Sequence, residues 1–243
     1  MTSLPIIELR QYTLYPGKRD SLIALFEREF VESQEAVGME IVGTFRDLDS
    51  PDHFTWIRAF KDMPARGDGL NAFYGGPVWQ AHKNEANAML LDNDDVLLLH
   101  SAALDSGFAP NARPRAPKGA TATPNGVVIA TIYDFDAPVG ADFVDFFEQA
   151  MRPELQAAGI PVLAYFVTET SPNNFPRLFV REKDHVFVWF SRFSDLADYE
   201  RHLATLTGSP TWKKAIGDAL RSKLKDPPKV LRLQPTARSH LHA

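Results

Sequence analysis

Two tryptophan pairs with identical internal spacing constrain the fold of this 243-residue chain more than any other feature. Phe54-Thr-Trp56-Ile-Arg58-Ala-Phe60 is followed by Gly75-Gly-Pro77-Val-Trp79, and Phe187-Val-Trp189-Phe-Ser-Arg-Phe193 by Gly208-Ser-Pro210-Thr-Trp212. One offset maps Trp56 on Trp189, Phe60 on Phe193, Asp62 on Asp195, Leu70 on Leu203, Gly75 on Gly208, Pro77 on Pro210 and Trp79 on Trp212. All four tryptophans fall into the two pairs, so the chain holds a unit and its diverged copy.

The order of elements repeats as well. Ile6–Leu14 and Val127–Phe135 are rich in β-branched and aromatic residues and read as strands. Each precedes an apolar helical stripe, Leu22, Ile23, Leu25, Phe26 and Phe30 in the first copy and Phe143, Phe146, Phe147, Ala150 and Met151 in the second. Gly38 and Gly159 stand where those helices should stop. Two strands follow in each copy, over 39–46 and 53–60 and over 162–168 and 185–193, the second pair separated by a long insert with Ser171-Pro172-Asn173-Asn174. A second helical region broken at Gly75-Gly76 or Gly208-Ser209 leads to a short closing strand, 96–99 or 229–233. The pattern β-α-β-β-α-β, twice over, predicts an α+β fold of two tandem ferredoxin-like halves, 1–103 and 126–243, closed on each other as an intrachain dimeric α+β barrel. Residues 104–125 hold four prolines and read as a linker of roughly 25–30 Å reach, which keeps the halves at roughly millimolar effective concentration.

Bulk composition narrows the function classes. A net charge of −5 with scattered Lys and Arg argues against a nucleic-acid partner. Zero cysteines exclude disulfides, thiolate metal sites and a cysteine nucleophile, and fit a cytoplasmic location. No apolar run approaches the roughly 20 residues of a membrane helix, and the N-terminus reads as no secretory signal. Gly75-Gly76 lacks the Lys-Ser/Thr of a phosphate loop, no cluster offers three metal ligands, and no Gly-x-Ser-x-Gly elbow is present. The residues therefore ask for no cofactor. His240 and His242 read as part of a disordered tail.

The first half resembles the NIPSNAP family. The resemblance is carried by Glu8-Leu9-Arg10-Gln11-Tyr12-Thr-Leu14-Tyr-Pro16-Gly17, by Gln34 through Asp49 with Gly38, Gly43 and Phe45, by Phe54–Phe60, by Ala72-Phe73-Tyr74-Gly75-Gly-Pro77-Val-Trp79-Gln-Ala-His82, and by Asn87. It covers about residues 5–100; the second half is similar mainly in its framework. The resemblance implies dimeric α+β barrels, mitochondrial and vesicular roles in animals, and bacterial members mostly of undefined function. It also implies kinship with cofactor-independent monooxygenases, EthD-like proteins and haem-binding chlorite dismutase relatives, a fold-level analogy only.

Comparing the copies locates a candidate site. Aromatic and glycine positions persist, Tyr12 as Tyr133 among them, whereas polar ones do not: the second copy has Ile129 for Glu8, Thr131 for Arg10, Ser191 for Arg58, Thr207 for Tyr74, Ala215 for His82 and Leu220 for Asn87. Strand alternation puts Glu8, Arg10 and Tyr12 on one face, and Trp56 and Arg58 on one face of the neighbouring strand. Two guanidinium groups beside a tryptophan, with Glu8 as counter-ion, suit an anionic or aromatic ligand; they equally suit a structural ion network. His82 shares a helical face with Trp79, Ala86 and Met89 and reads as a base, as the axial haem ligand with His53 the alternative one, or as a histidine at the core edge. Tyr74 reads as a pocket hydroxyl or a packing residue, and the four tryptophans as core.

Three functions compete on these residues. The first is a small-molecule enzyme or binder using Glu8, Arg10, Trp56, Arg58, Tyr74, His82 and Asn87. The second is a non-enzymatic scaffold or interaction module. The third is haem binding or monooxygenase-like chemistry. A cavity of roughly 300 Å³ or more beside Arg58, Tyr74 and His82 favours the first. Further pairing of whole barrels into a homo-oligomer is compatible with all three.

Overall fold

The computed structural model describes residues 4–110 and 114–242. The first half runs β1 (Ile6–Leu14), α1 (Arg19–Leu25), α2 (Val31–Glu35), β2 (Glu40–Asp47), β3 (His53–Phe60), α3 (Met63–Gly75), α4 (Pro77–Asn87) and β4 (Leu90–Ser101). The second runs β5 (Val127–Phe135), α5 (Ala141–Phe146), α6 (Arg152–Ala157), β6 (Ala164–Thr168), β7 (His185–Phe193), α7 (Leu196–Gly208), α8 (Gly217–Lys223) and β8 (Lys229–Pro235). A wide π turn joins α1 to α2 at Phe26–Phe30, and its counterpart joins α5 to α6 at Phe147–Met151. Gly38 and Gly159 take positive φ (85° and 78°) just past these helices, as chain reversal there requires.

All eight strands form one closed barrel in the order β1-β3-β2-β8-β5-β7-β6-β4, antiparallel throughout. The halves meet at two short seams. At one, Phe45, Arg46 and Asp47 of β2 face Pro235, Gln234 and Leu233 of β8; at the other, Leu99, His100 and Ser101 of β4 face Thr168, Val167 and Phe166 of β6.

Alternation along each strand then sorts the side chains into three cores. One set points into the barrel, among them Ile7, Leu9, Phe45, Ile57, Leu99, Phe166, Val188 and Phe190. The opposite sets point outward under the helices, with Trp56 at the centre of the first half and Trp189 at the centre of the second. Trp56 and Trp189 are buried, but Trp79 and Trp212 are only half-buried, so the expectation of four core tryptophans is corrected. The latter two ride on the outer helical layer, where one edge of the ring stays accessible.

Three segments lie outside the barrel strands and their covering helices. The C-terminal residues are docked rather than disordered: the Thr236 hydroxyl donates to Glu27 Oε1 at 2.6 Å, Arg238 N donates to the same oxygen at 2.9 Å, and Leu241 N donates to Val42 O at 2.9 Å. Glu27 is buried, and the tail supplies the donors its carboxylate needs. In the linker, Phe108 packs on Phe166 and Phe190, and Arg115 reaches Glu35 and the Ile41 carbonyl. Strand β4 is six residues longer at its start than the apolar run 96–99, because Asp92, Asp94 and Asp95 sit in an exposed, irregular stretch that still pairs with β1. Third, the insert between β6 and β7 crosses onto the first half. No helix among the described residues is long and apolar enough to cross a membrane.

Candidate functional site

β1 and β3 pair so that Glu8 lies opposite Arg58, Arg10 opposite Trp56 and Tyr12 opposite Phe54, all on the helix-covered face. α3 adds Arg66 from above. Glu8 Oε2 accepts from Arg10 Nη1 at 2.6 Å and Arg58 Nε at 2.8 Å, and Glu8 Oε1 accepts from Arg66 Nε at 2.7 Å. The four side chains have no exposed area. Burial alone would push the Glu8 carboxyl up, but Arg58, Arg10 and Arg66 together hold it well below the ordinary carboxylate range. One carboxylate thus faces three guanidinium groups, leaving two positive charges in excess. The surplus rests on neutral acceptors and ring faces: Arg58 Nη1 donates to Gln34 Oε1 (3.0 Å), Arg66 Nη1 to Asn174 Oδ1 (2.7 Å), and Arg10 Nε to the Tyr12 hydroxyl oxygen (2.9 Å). The guanidinium carbons of Arg10 and Arg58 lie 5.5 and 5.1 Å from the Trp56 ring centre.

Directly over this cluster lies a cavity of about 530 Å³ between the sheet and the helices. Its walls are Phe26, Phe30 and Gln34 from the first helical run, Tyr12 and Trp56 from the sheet, Phe73, Tyr74 and Trp79 at the α3–α4 junction, and Lys83 and Asn87 on α4. Phe175, Arg177 and Leu178 of the insert complete them. Lys83 and Arg177 are the charged members of the wall, in a chain of net charge −5. The insert is pinned over the cavity by Asn174 Nδ2 donating to Met63 O (2.5 Å), by Arg181 N donating to Val96 O (2.9 Å) and by the Arg181–Asp95 ion pair (2.8 Å).

The structure brings Trp56, Tyr74 and Asn87 to the cavity wall and sets Glu8, Arg10 and Arg58 beneath the floor. His82 is elsewhere: its ring lies 3.7 Å from Glu29 and 3.8 Å from Glu85 on a partly exposed face. His53 sits at the start of β3, 3.4 Å from the Thr13 hydroxyl. Neither histidine is among the residues that line the cavity, although the His82 ring meets Phe30 of its wall edge-on. Among the described residues no three His, Cys, Asp or Glu side chains group to hold a metal. Arg66 and Gln34 escape sequence reasoning because each looks like an ordinary helix residue; the one available signal is that the second copy has Tyr199 and Leu155 at the matching places. The insert's contribution has no counterpart in the short 48–52 connection of the first half to betray it.

The second half is built on the same register, with Ile129 opposite Ser191, Thr131 opposite Trp189 and Tyr133 opposite Phe187. It closes the same barrel without any charge at these points. The charged cluster is therefore not a requirement of the fold.

Residues 7–103 match the NIPSNAP family model. No curated protein matches the chain. Over its full length the chain is similar in fold to a protein from Lactobacillus acidophilus NCFM provisionally assigned as a monooxygenase, with 15% identity, 97% of each chain covered and a TM-score of 0.57. It is likewise similar to a dye-decolorizing peroxidase from Bacteroides thetaiotaomicron, at 8% identity, 97% and 94% coverage and a TM-score of 0.55. A NIPSNAP family protein of unknown function from Agrobacterium tumefaciens aligns at 21% identity over 44% of this chain and 94% of its own, with a TM-score of 0.39. At these identities the full-length likenesses speak to fold alone.

Proposed function

Because the chain is a NIPSNAP family protein through its first half, we propose that the cavity beside Trp56, Tyr74 and Trp79 binds a small anionic molecule with a flat aromatic body. The scaffold for this is a fusion of two ferredoxin-like units, residues 1–103 and 126–243, doing within one chain what a dimeric α+β barrel does with two. The observation that carries the reading is the pairing of aromatic walls with cations only: Lys83 and Arg177 at the wall, and a buried cluster with two surplus positive charges below it. Aromatic walls favour stacking or edge contacts worth about 0.5–1.5 kcal/mol each beyond area burial. Unbalanced positive charge in a low-dielectric floor favours an anion over its neutral analogue. At about 530 Å³ the cavity falls within the range of small-molecule sites.

Tryptophan fluorescence, with Trp56 and Trp79 in the wall, provides the test. Titration with 1-naphthoate should quench emission at lower concentration than titration with the neutral 1-naphthalenemethanol, and raising the salt concentration should narrow the gap. Equal response to both, or response to neither, removes the proposal.

A further inference from the structure

Three side chains of the cavity floor carry hydrogen-bond donors, Gln34, Trp56 and Tyr12. Gln34 spends one Nε2–H on Phe30 O at 2.9 Å and its Oε1 accepts from Arg58 at 3.0 Å, and the Trp56 Nε1–H is buried without a partner but has no cation bonded behind it. Tyr12 differs. Its oxygen accepts from Arg10 Nε at 2.9 Å, so its own proton must leave in another direction, and no hydrogen bond among the described residues uses that proton. The cavity it lines is the outlet. Burial pushes the Tyr12 phenol up, Arg10 and Arg58 oppose this and Tyr74 adds to it, with the net direction upward; at neutral pH the group is a donor. Behind it stands the surplus charge of the arginine cluster, including Arg10 Nη2, which is buried without a hydrogen-bond partner.

The cations of the wall are weaker competitors for an anion. Arg177 is exposed, and Lys83 already donates to Gln80 Oε1 at 2.6 Å. Charge interactions in such wet surroundings are worth about 0–1 kcal/mol. The number of donors also selects the kind of oxygen. A carboxylate brings two oxygens that both need partners, whereas an oxygen attached to an aromatic ring brings one. Tyr74 carries another hydroxyl of the wall, but no arginine N–H is bonded to it; its ring instead stacks on Phe175.

Resting on the cavity as a ligand site, we infer that Tyr12 is its specificity-determining residue, with Oη–H donating to the ionised oxygen of a phenol whose ring lies between Trp56 and the Tyr74–Phe175 stack. On binding, the phenol O–H bond breaks, the proton leaves to bulk water and the oxygen keeps the electron pair as phenolate; nothing is oxidised or reduced.

The probe is 4-nitrophenol, whose ionised form absorbs visible light, with 4-nitroanisole as its neutral counterpart. Bound to the intact protein, 4-nitrophenol should ionise about one pH unit lower than in buffer, an approximately tenfold preference for the phenolate. Tyr12→Phe should abolish the shift, and Arg177→Ala and Tyr74→Phe should keep it. A shift that survives Tyr12→Phe, or one lost in either of the other variants alone, overturns the assignment. Binding of both probes without a shift overturns it too, while leaving the cavity reading in place; binding of neither overturns both. If Tyr12→Phe fails to fold, the unmodified protein with 13Cζ-labelled tyrosine decides: one tyrosine resonance must move with nitrophenolate and stay with nitroanisole, and the absence of such a resonance overturns the inference.

Discussion

Tyr74 of the first half and Phe175 of the second lie stacked, ring centroids 5.6 Å apart and planes inclined by 26°. A segment belonging to one half therefore closes a cavity belonging to the other. That segment is otherwise held by Val180 and Leu178 in the first-half core and by a few polar contacts, so its closed position should respond to truncation of its largest anchor. Phe175→Ala removes a stack worth about 0.5–1.5 kcal/mol beyond its area. Amide hydrogen exchange in residues 169–184 should speed up about 2- to 10-fold, with the barrel strands unchanged. Uniform acceleration across the whole chain would mean that Phe175 belongs to the global core instead.

Glu8 should be among the most sensitive polar positions in the chain. Glu8→Gln leaves Arg10, Arg58 and Arg66 buried without an anion, and breaking a buried ion network in this way costs about 3–5 kcal/mol. Its pH dependence follows from the direction of the shift. The folded carboxyl titrates well below its unfolded value, so its contribution is complete above about pH 4.3 and declines as the pH falls further. Denaturant midpoints of wild type and Glu8→Gln should thus differ by a constant amount from neutral pH down to about 5 and converge in stronger acid. A gap that does not close in acid would contradict the ion network.

The docked tail should respond at milder pH. Burial, then Arg115, His242 and Arg238, lower His240 from 6.5 to about 4. A histidine depressed in the folded state weakens that state once the unfolded chain begins to take up protons. Stability should therefore fall between about pH 6.5 and 4, and His240→Gln should flatten that slope in a series of melting temperatures. The absence of any change in slope would show that the tail's docking does not depend on the neutral imidazole.

The two tryptophans of the first half should separate on truncation. Trp56→Ala removes a side chain buried on every side but its cavity edge and should cost about 3–5 kcal/mol. Trp79→Ala removes a ring that is only half-buried and should cost clearly less, while it weakens binding of an aromatic probe. Equal losses in urea unfolding would argue that Trp79 is core after all.

The strands that carry Glu8, Arg10, Trp56 and Arg58 are legible from alternation, and their pairing follows from the repeated order of elements. Arg66 is not legible. Nothing in Met63–Gly75 distinguishes an arginine that turns inward from one that faces water, because the turn inward is dictated by Glu8, 58 positions away in the chain. The same holds for Asn173 and Asn174, whose role depends on which half the insert falls upon. His82 shares the face of Trp79, as its periodicity indicates, and meets Phe30 edge-on, while its ring nitrogens lie near Glu29 and Glu85, partners that the periodicity does not reveal. The tail is hidden because its anchor, Glu27, lies in a helix more than 200 positions earlier.

The seams β2–β8 and β4–β6 join two halves of a single chain rather than two copies of one polypeptide. In a pair of identical subunits every substitution occurs twice, so a site can be neither added to one side nor erased from the other. Here the mutations are counted once. One half can therefore hold ionisable groups under its helices while the other has none at the matching strand positions and supplies the flap over its neighbour.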